Sequence, residues 1–272
     1  MSASPSVIRQ YLESSNPDVQ QIGFDHLINA LNAGTVRAAS RRRDGTWEAH
    51  AWVKKGLLYG FRAGHLTKID AAPAPFFDKH TFPLRPIEIR DNIRLVPGGS
   101  SIRTGCYISP DVICMPPMYI NTGAYVDEET MVDSHALVGS CAQVGKRVHI
   151  SAATQIGGVL EPPGALPVII EDDCFLGGGS GIYEGCIVRE GAVLAPGVIL
   201  TKSTRLYDLV HERILEPGEV PTGAVVVSGS RKQSSSFALE HGISTYTPVI
   251  VKYRDARTDA ATELESALRQ SI

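Results

Sequence analysis

Residues 102–156 read, set out in sixes, IRTGCY ISPDVI CMPPMY INTGAY VDEETM VDSHAL VGSCAQ VGKRVH ISAATQ I. Every group opens on an apolar residue: Ile102, Ile108, Cys114, Ile120, Val126, Val132, Val138, Val144, Ile150 and Ile156. The count resumes in 170–200 with IEDDCF LGGGSG IYEGCI VREGAV LAPGVI L. Four residues after each opening the side chain is mostly small, as at Cys106, Ala124, Ala136, Ala142, Cys174, Ser180, Cys186 and Ala192; Met118 and Leu160 are large exceptions. A fixed short period predicts a solenoid. Three hexapeptides make one triangular turn, and stacked turns bury a continuous core. A helix would need apolar spacing near 3.6 residues.

The interruption at Glu161–Ile169 (EPPGALPVI) carries two prolines in series. Such a segment cannot hold ladder positions, so it is expected to leave the coil as a loop. The chain then divides into residues 1–98, without the repeat, a solenoid over 99–205, and a cap over 206–272. In the first region, Val19–Asn32 has helical apolar spacing with Gly34 as a stop signal. Residues 36–52 read as two strands around the tight-turn pair Asp44-Gly45. Arg41, Arg42 and Arg43 precede that turn, either as an anion-binding patch or as a solvated hairpin edge. In the last region Ala224–Val227 and Pro248–Val251 read as strands, and residues 260–272 read as a helix.

Formal net charge is -3 and the pI is near 6.2, so no general attraction to nucleic acid or membranes is expected. Neither a spanning apolar run nor a signal-peptide pattern is seen. The five cysteines are odd in number and most fall in inward slots, which fits a reduced, cytoplasmic protein. Zinc catalysis of the carbonic anhydrase type needs three converging histidines. The repeat holds only His135 and His149, so no metal is expected. Gly177–Gly179 is not a phosphate loop, because no Gly-Lys-Ser/Thr follows.

Several long motifs carry a resemblance: 119–133 (YINTGAYVDEETMVD), 138–145 (VGSCAQVG), 156–162 (IGGVLEP), 170–175 (IEDDCF), 203–208 (STRLYD), 220–229 (VPTGAVVVSG) and 249–255 (VIVKYRD). Upstream, 52–61 (WVKKGLLYGF) and 93–97 (IRLVP) join them. The chain resembles the tetrahydrodipicolinate N-succinyltransferases of bacterial lysine and diaminopimelate synthesis. The resemblance implies a left-handed parallel β-helix with an N-terminal helical domain and a small C-terminal cap. It also implies a homotrimer with sites between the solenoids of neighbouring chains. The implied reaction moves an acyl group from a coenzyme A thioester to the amine of a hydrated or ring-opened cyclic imino diacid.

By the same resemblance Arg94 binds a substrate carboxylate, for which a planar guanidinium fork is suited. Asp133 stands beside the reacting amine, where a carboxylate can accept its proton. Ser140 is placed among the substrate contacts. Pantetheine would lie along the Gly- and Ala-rich turns at Gly177, Gly179, Gly181 and Ala195. Lys202, Arg205, Arg231 and Lys232 are candidates for the coenzyme's phosphates.

The chain departs from the family at the site. The family follows its CF-I/L-G motif with Ala-Arg-Ser-Glu; here Gly179 replaces the arginine and Gly181 the glutamate, the family's second acidic group. Ser134-His135 stands where Thr-Trp is usual, and the imidazole of His135 can serve as a base or as a packing substitute. Losing the arginine removes a cation that could pair with a carboxylate of the donor, which admits a smaller acyl group such as acetyl beside the succinyl group that the resemblance implies. Three readings follow: the ordinary lysine-pathway enzyme, a specialised relative of the kind found in tabtoxin-type antimetabolite pathways, or a trimer of the same fold that binds ligand without catalysis.

Overall fold

A computed structural model describes residues 3–70 and 75–255. Its centre is a left-handed parallel β-helix whose strands are two residues long. Three faces alternate along the chain. Face 1 holds Ser101–Ile102, Tyr119–Ile120, Leu137–Val138, Gln155–Ile156, Gly181–Ile182 and Ile199–Leu200. Face 2 runs from Tyr107–Ile108 to Glu219–Val220, and face 3 runs from Arg94–Leu95 through Met131–Val132 and Phe175–Leu176 to Val193–Leu194. The second residue of each strand from 102 to 200 is the hexapeptide opening, and all of them are buried. They form one contiguous core with the small residues four places later. The period of six is therefore the period of inward-facing side chains, as predicted.

Strands stack 18 residues apart, as in Tyr107↔Tyr125↔Gln143. Across the Pro-rich interruption the spacing becomes 26, from Gln143 to Ile169, so eight extra residues leave the coil between faces 1 and 2. A second excursion leaves at the same corner: Ile187 pairs with Glu219, 32 apart, which makes fourteen extra residues. The ladders run past the ends of the repeat seen in sequence. Arg94–Leu95 pairs with Ile113–Cys114 below, and Val193–Leu194 pairs with Val225–Val226 above. From there a long antiparallel hairpin, Ala224–Lys232 with Ser244–Tyr253, projects beyond the coil. These strands contain the two predicted at Ala224–Val227 and Pro248–Val251. The helix predicted over 260–272 lies outside the described residues.

The corners share one backbone solution. The fourth residue of the hexapeptides adopts φ between 53 and 79°: Gly105, Asp111, Gly123, Glu129, His135, Cys141, Arg147, Ala153, Asp173, Gly179, Gly185, Gly191 and Gly197. Pro117, whose ring holds φ negative, and Val159, where the chain leaves the coil, are the exceptions.

Three helices pack beside the coil: α1 (Pro5–Leu12), α2 (Pro17–Asn32) and α3 (Ala51–Ala63). The first two begin with a capping side chain, Ser4 or Asn16, followed by proline, the residue pre-set for a first helical position. Their core of Phe24, Leu27, Leu31, Val53 and Leu57 also takes in Cys141 from the coil. The predicted hairpin forms as Ala39–Arg41 with Trp47–Ala49. It is tied to the coil by Trp47 Nε1 donating to Glu171 and by Arg37, whose guanidinium lies 3.6 Å above the Tyr125 ring and donates to Gln143. Arg41 pairs with Glu171 and Arg42 with Glu48, so these cations serve the hairpin. Lys54 of α3 is fully buried and donates to Ala165 O at 2.6 Å, anchoring the first excursion. Among the described residues no helix is long and apolar enough to cross a membrane.

Candidate active site

Asp133 follows the face 3 strand Met131–Val132 and opens the turn to face 1. It is half-buried, and its Oδ1 accepts from Ser134 N at 2.6 Å. No other side-chain partner of Asp133 is found among the described residues. The corner is held by a backbone ladder: His135 N to Pro117 O, Ala153 N to Ser134 O, Gly179 N to Ala152 O, and Gly197 N to Gly178 O. This ladder stacks Asp133, His135, Gly177, Gly179 and Ala195 along one edge of the coil. Gly181 lies just past that edge, on the outer side of face 1.

His135 is exposed, and its left-handed backbone is that of the corner slot shared by Asp111, Glu129 and Arg147. The conformation is therefore a property of the scaffold and gives no sign of functional strain. Gly179 fills the same slot, with nothing within 4 Å of where a Cβ would stand. An arginine there would meet only the modest left-handed penalty of roughly 1–2 kcal/mol that Arg147 already bears. Gly181 differs: its Cβ would run into the ring of Tyr183, so a glutamate at 181 requires Tyr183 to move.

Arg94 stands on face 3 two ladder steps below Met131, about 10 Å at the usual strand spacing. Its side chain is exposed and makes no ion pair among the described residues. Arg94 and the Gly177 turn thus flank Asp133 from below and above.

The other candidates lie elsewhere on the chain. Ser140 sits at the corner between faces 1 and 2, where its carbonyl accepts from Val159 N as the excursion departs. Lys202 and Arg205 are at or just beyond that same corner, in the last coil, and both are exposed. Arg231 and Lys232 are on the projecting hairpin. One chain alone therefore brings together Asp133, His135, Gly177, Gly179, Gly181 and Ala195, leaves Ser140, Lys202 and Arg205 at the corner between faces 1 and 2, and carries Arg231 and Lys232 on the hairpin that continues past the Ala195–Gly197 corner. Sequence reasoning overlooked Gln155 and Tyr183. Gln155 is the cross-strand neighbour of Gly181, and its amide donates to His135 O and Ala153 O at 3.3 Å. The available signal was a glycine at a strand position two residues before an aromatic.

All five cysteines are free and buried. Burial pushes the thiols up, Cys106 to about 11 and Cys114, Cys141 and Cys186 to about 12, which suits packing and not nucleophilic work. Among the described residues no cluster of three or more His, Cys, Asp or Glu side chains is arranged to hold a metal.

Two family models match the chain: the tetrahydrodipicolinate N-succinyltransferase N-terminal region over residues 8–63, and the hexapeptide repeat of succinyl-transferase over residues 167–202. Full-length relatives are similar throughout. A 2,3,4,5-tetrahydropyridine-2,6-dicarboxylate N-succinyltransferase of Bartonella bacilliformis is 43% identical over 251 residues, covering 90% of this chain and 88% of its own. The enzyme of that name from Nitrobacter hamburgensis is 45% identical over the same coverage. That of Polynucleobacter asymbioticus is 42% identical over 282 residues, covering 99% of this chain and all of its own. With an intact coil, a matching helical domain and identity at this level over nine-tenths of its length, the chain belongs to the tetrahydrodipicolinate N-succinyltransferase family.

Proposed function

We propose that this protein transfers an acyl group from a coenzyme A thioester to the amine of tetrahydrodipicolinate or a close cyclic imino acid. The pathway is lysine and diaminopimelate synthesis or a branch from it. The observation that carries this reading is Asp133: a carboxylate held by one backbone donor, at a corner flanked by Arg94 below and a glycine-rich turn above, in a chain of this family.

The chemistry then follows. The Arg94 fork binds a substrate carboxylate and fixes the amine near Asp133. The amine nitrogen attacks the thioester carbonyl carbon and forms the N–C bond. Asp133 takes the amine proton. The C–S bond breaks, and the departing coenzyme A thiolate recovers a proton. His135, two residues on along the same corner, is the second group available for that transfer. Pantetheine lies along the backbone edges at Gly177–Gly179 and Ala195–Gly197. The assembly is a cytoplasmic homotrimer, in which Ser140 and the cations Lys202, Arg205, Arg231 and Lys232 approach the corner of a neighbouring chain.

The test is release of free thiol when purified protein meets tetrahydrodipicolinate with succinyl-CoA or acetyl-CoA. Turnover with either donor, dependent on the imino acid, is the expected result. No turnover with either, from a protein that is folded and trimeric by light scattering, would overturn the reading in favour of ligand binding without catalysis.

A further inference from the structure

Gly181 faces outward on face 1 and is nevertheless buried. What covers it is Tyr183. A Cβ at 181 would stand 2.5 Å from Tyr183 Cε2 and 2.8 Å from its hydroxyl oxygen, and a Cβ at Gly157, one coil below, would stand 2.7 Å from Tyr183 Cδ1. Real Cβ atoms do not make such contacts, so the two glycines form a seat for one aromatic ring. The ring is rooted beside the corner between faces 1 and 2, while its hydroxyl lies over residue 181. It therefore runs back along the strand toward the corner that carries Asp133, His135 and Gly179.

The ring is fixed and its polar tip is uncommitted. The Tyr183 hydroxyl has no hydrogen-bond partner among the described residues, although a phenol can both donate and accept. The neighbouring Gln155 amide is occupied by the His135 and Ala153 carbonyls. An aromatic clamped by two glycines, half-exposed, with a free hydroxyl aimed at the candidate corner, has the attributes of a preorganised ligand contact.

We propose that Tyr183 is a substrate-contacting, specificity-determining residue. Its hydroxyl hydrogen-bonds the amine-bearing substrate where a side chain at 181 would otherwise project, and its ring bounds the space left for the acyl group. This rests on the acyltransferase reading above and assigns that site a neutral contact.

Two variants test it in the thiol-release assay, with the donor saturating and the imino acid varied. Tyr183→Phe keeps the ring in its seat and removes only the hydroxyl. Gly181→Ala puts a methyl where the ring lies and drives it out. Both are expected to raise the KM for the imino acid roughly tenfold with kcat within about twofold, the size of one lost hydrogen bond in a site. Circular dichroism and trimer mass of Tyr183→Phe should match the parent. A merely structural ring predicts a silent Tyr183→Phe, and a parental KM in that variant would overturn the proposal. A parent that turns over neither thioester overturns the acyl-transfer reading and this inference with it, whereas an active parent with an unaltered Tyr183→Phe overturns this inference alone.

Discussion

Gly139→Ala should loosen the first excursion where it leaves the coil. A Cβ at 139 would stand 2.2 Å from Gly158 N, 2.6 Å from Gly158 Cα and 2.7 Å from Gly157 C, all backbone atoms. No side chain can swing aside to relieve the contact. Ordinary contact begins at 3.4 Å, so the Gly157–Gly158 backbone must retreat by the difference from 2.2 Å, about 1.2 Å. The bond from Val159 N to Ser140 O, now 3.1 Å, does not survive a shift of that size. Overpacking of this kind costs about 1–3 kcal/mol and the lost hydrogen bond about 1 kcal/mol more, against a gain of about 0.4–1 kcal/mol from restricting the unfolded chain. The net expectation is about 1–3 kcal/mol of destabilisation per chain. Urea midpoints at one fixed protein concentration measure it, and hydrogen exchange at the Val159 amide locates it. Gly164→Ala, with nothing within 4 Å of its added methyl, is the control and should change stability by less than about 0.5 kcal/mol. A Gly139→Ala protein as stable as the parent, with Val159 equally protected, would refute the steric argument.

Asp133→Asn should lower kcat by about 10²–10⁴-fold with a smaller change in KM, because a proton acceptor acts mainly in the transition state; near-normal turnover would shift the role to His135. Arg94→Ala should instead raise the KM for the imino acid by at least about tenfold, read from the same initial-rate curves. The buried cysteines should titrate slowly with a thiol reagent at pH 8 in the native protein and fully in denaturant, since burial holds their thiols protonated; rapid native labelling would contradict the burial. Asp208 supplies a pH test. Burial alone would raise its carboxyl, but donors from His211, Tyr253 and Arg213 outweigh that and hold it well below the usual carboxylate range. A lowered folded-state value gives stability that is present above the unfolded value near 4 and lost as pH falls below it. Asp208→Asn should therefore flatten the decline in melting temperature below about pH 4, and an unchanged acid slope would count against it.

The coil was legible because the rule it obeys is local: one inward apolar side chain every six residues, from Ile102 to Leu200, with nothing distant required to state it. Its upper end was not legible, because the fourteen residues inserted before Glu219 break the count even though Val220 and Val226 return to the core. Helix α3 was missed for a different reason. It carries Gly56 and Gly60, which read poorly as helix, and a buried Lys54, which interrupts the apolar face; α2 packs against the glycines and the excursion receives the lysine. At the candidate site, Asp133 and Arg94 were proposed through motif resemblance; Arg94 lies on face 3 two ladder steps below Met131, and Asp133 opens the turn that follows that strand. Gly181 read as a loss. In three dimensions it is one half of a contact whose other half, Tyr183, lies two residues on. No one-dimensional pattern shows that a missing side chain has been replaced by a neighbour's.

Both excursions leave the coil at the corner between faces 1 and 2, and in both the chain re-enters with every inward residue still inward. A single extra residue within a strand would reverse that alternation for everything after it. At the corner, eight and fourteen added residues are absorbed without effect on the stack, and loop closure grows only slowly more costly with length. That edge is thus a place where the gene can lengthen or shorten without renumbering the architecture. The edge that holds Asp133 carries a single added residue, in the first turn, so the length variation of this chain is concentrated away from the candidate site.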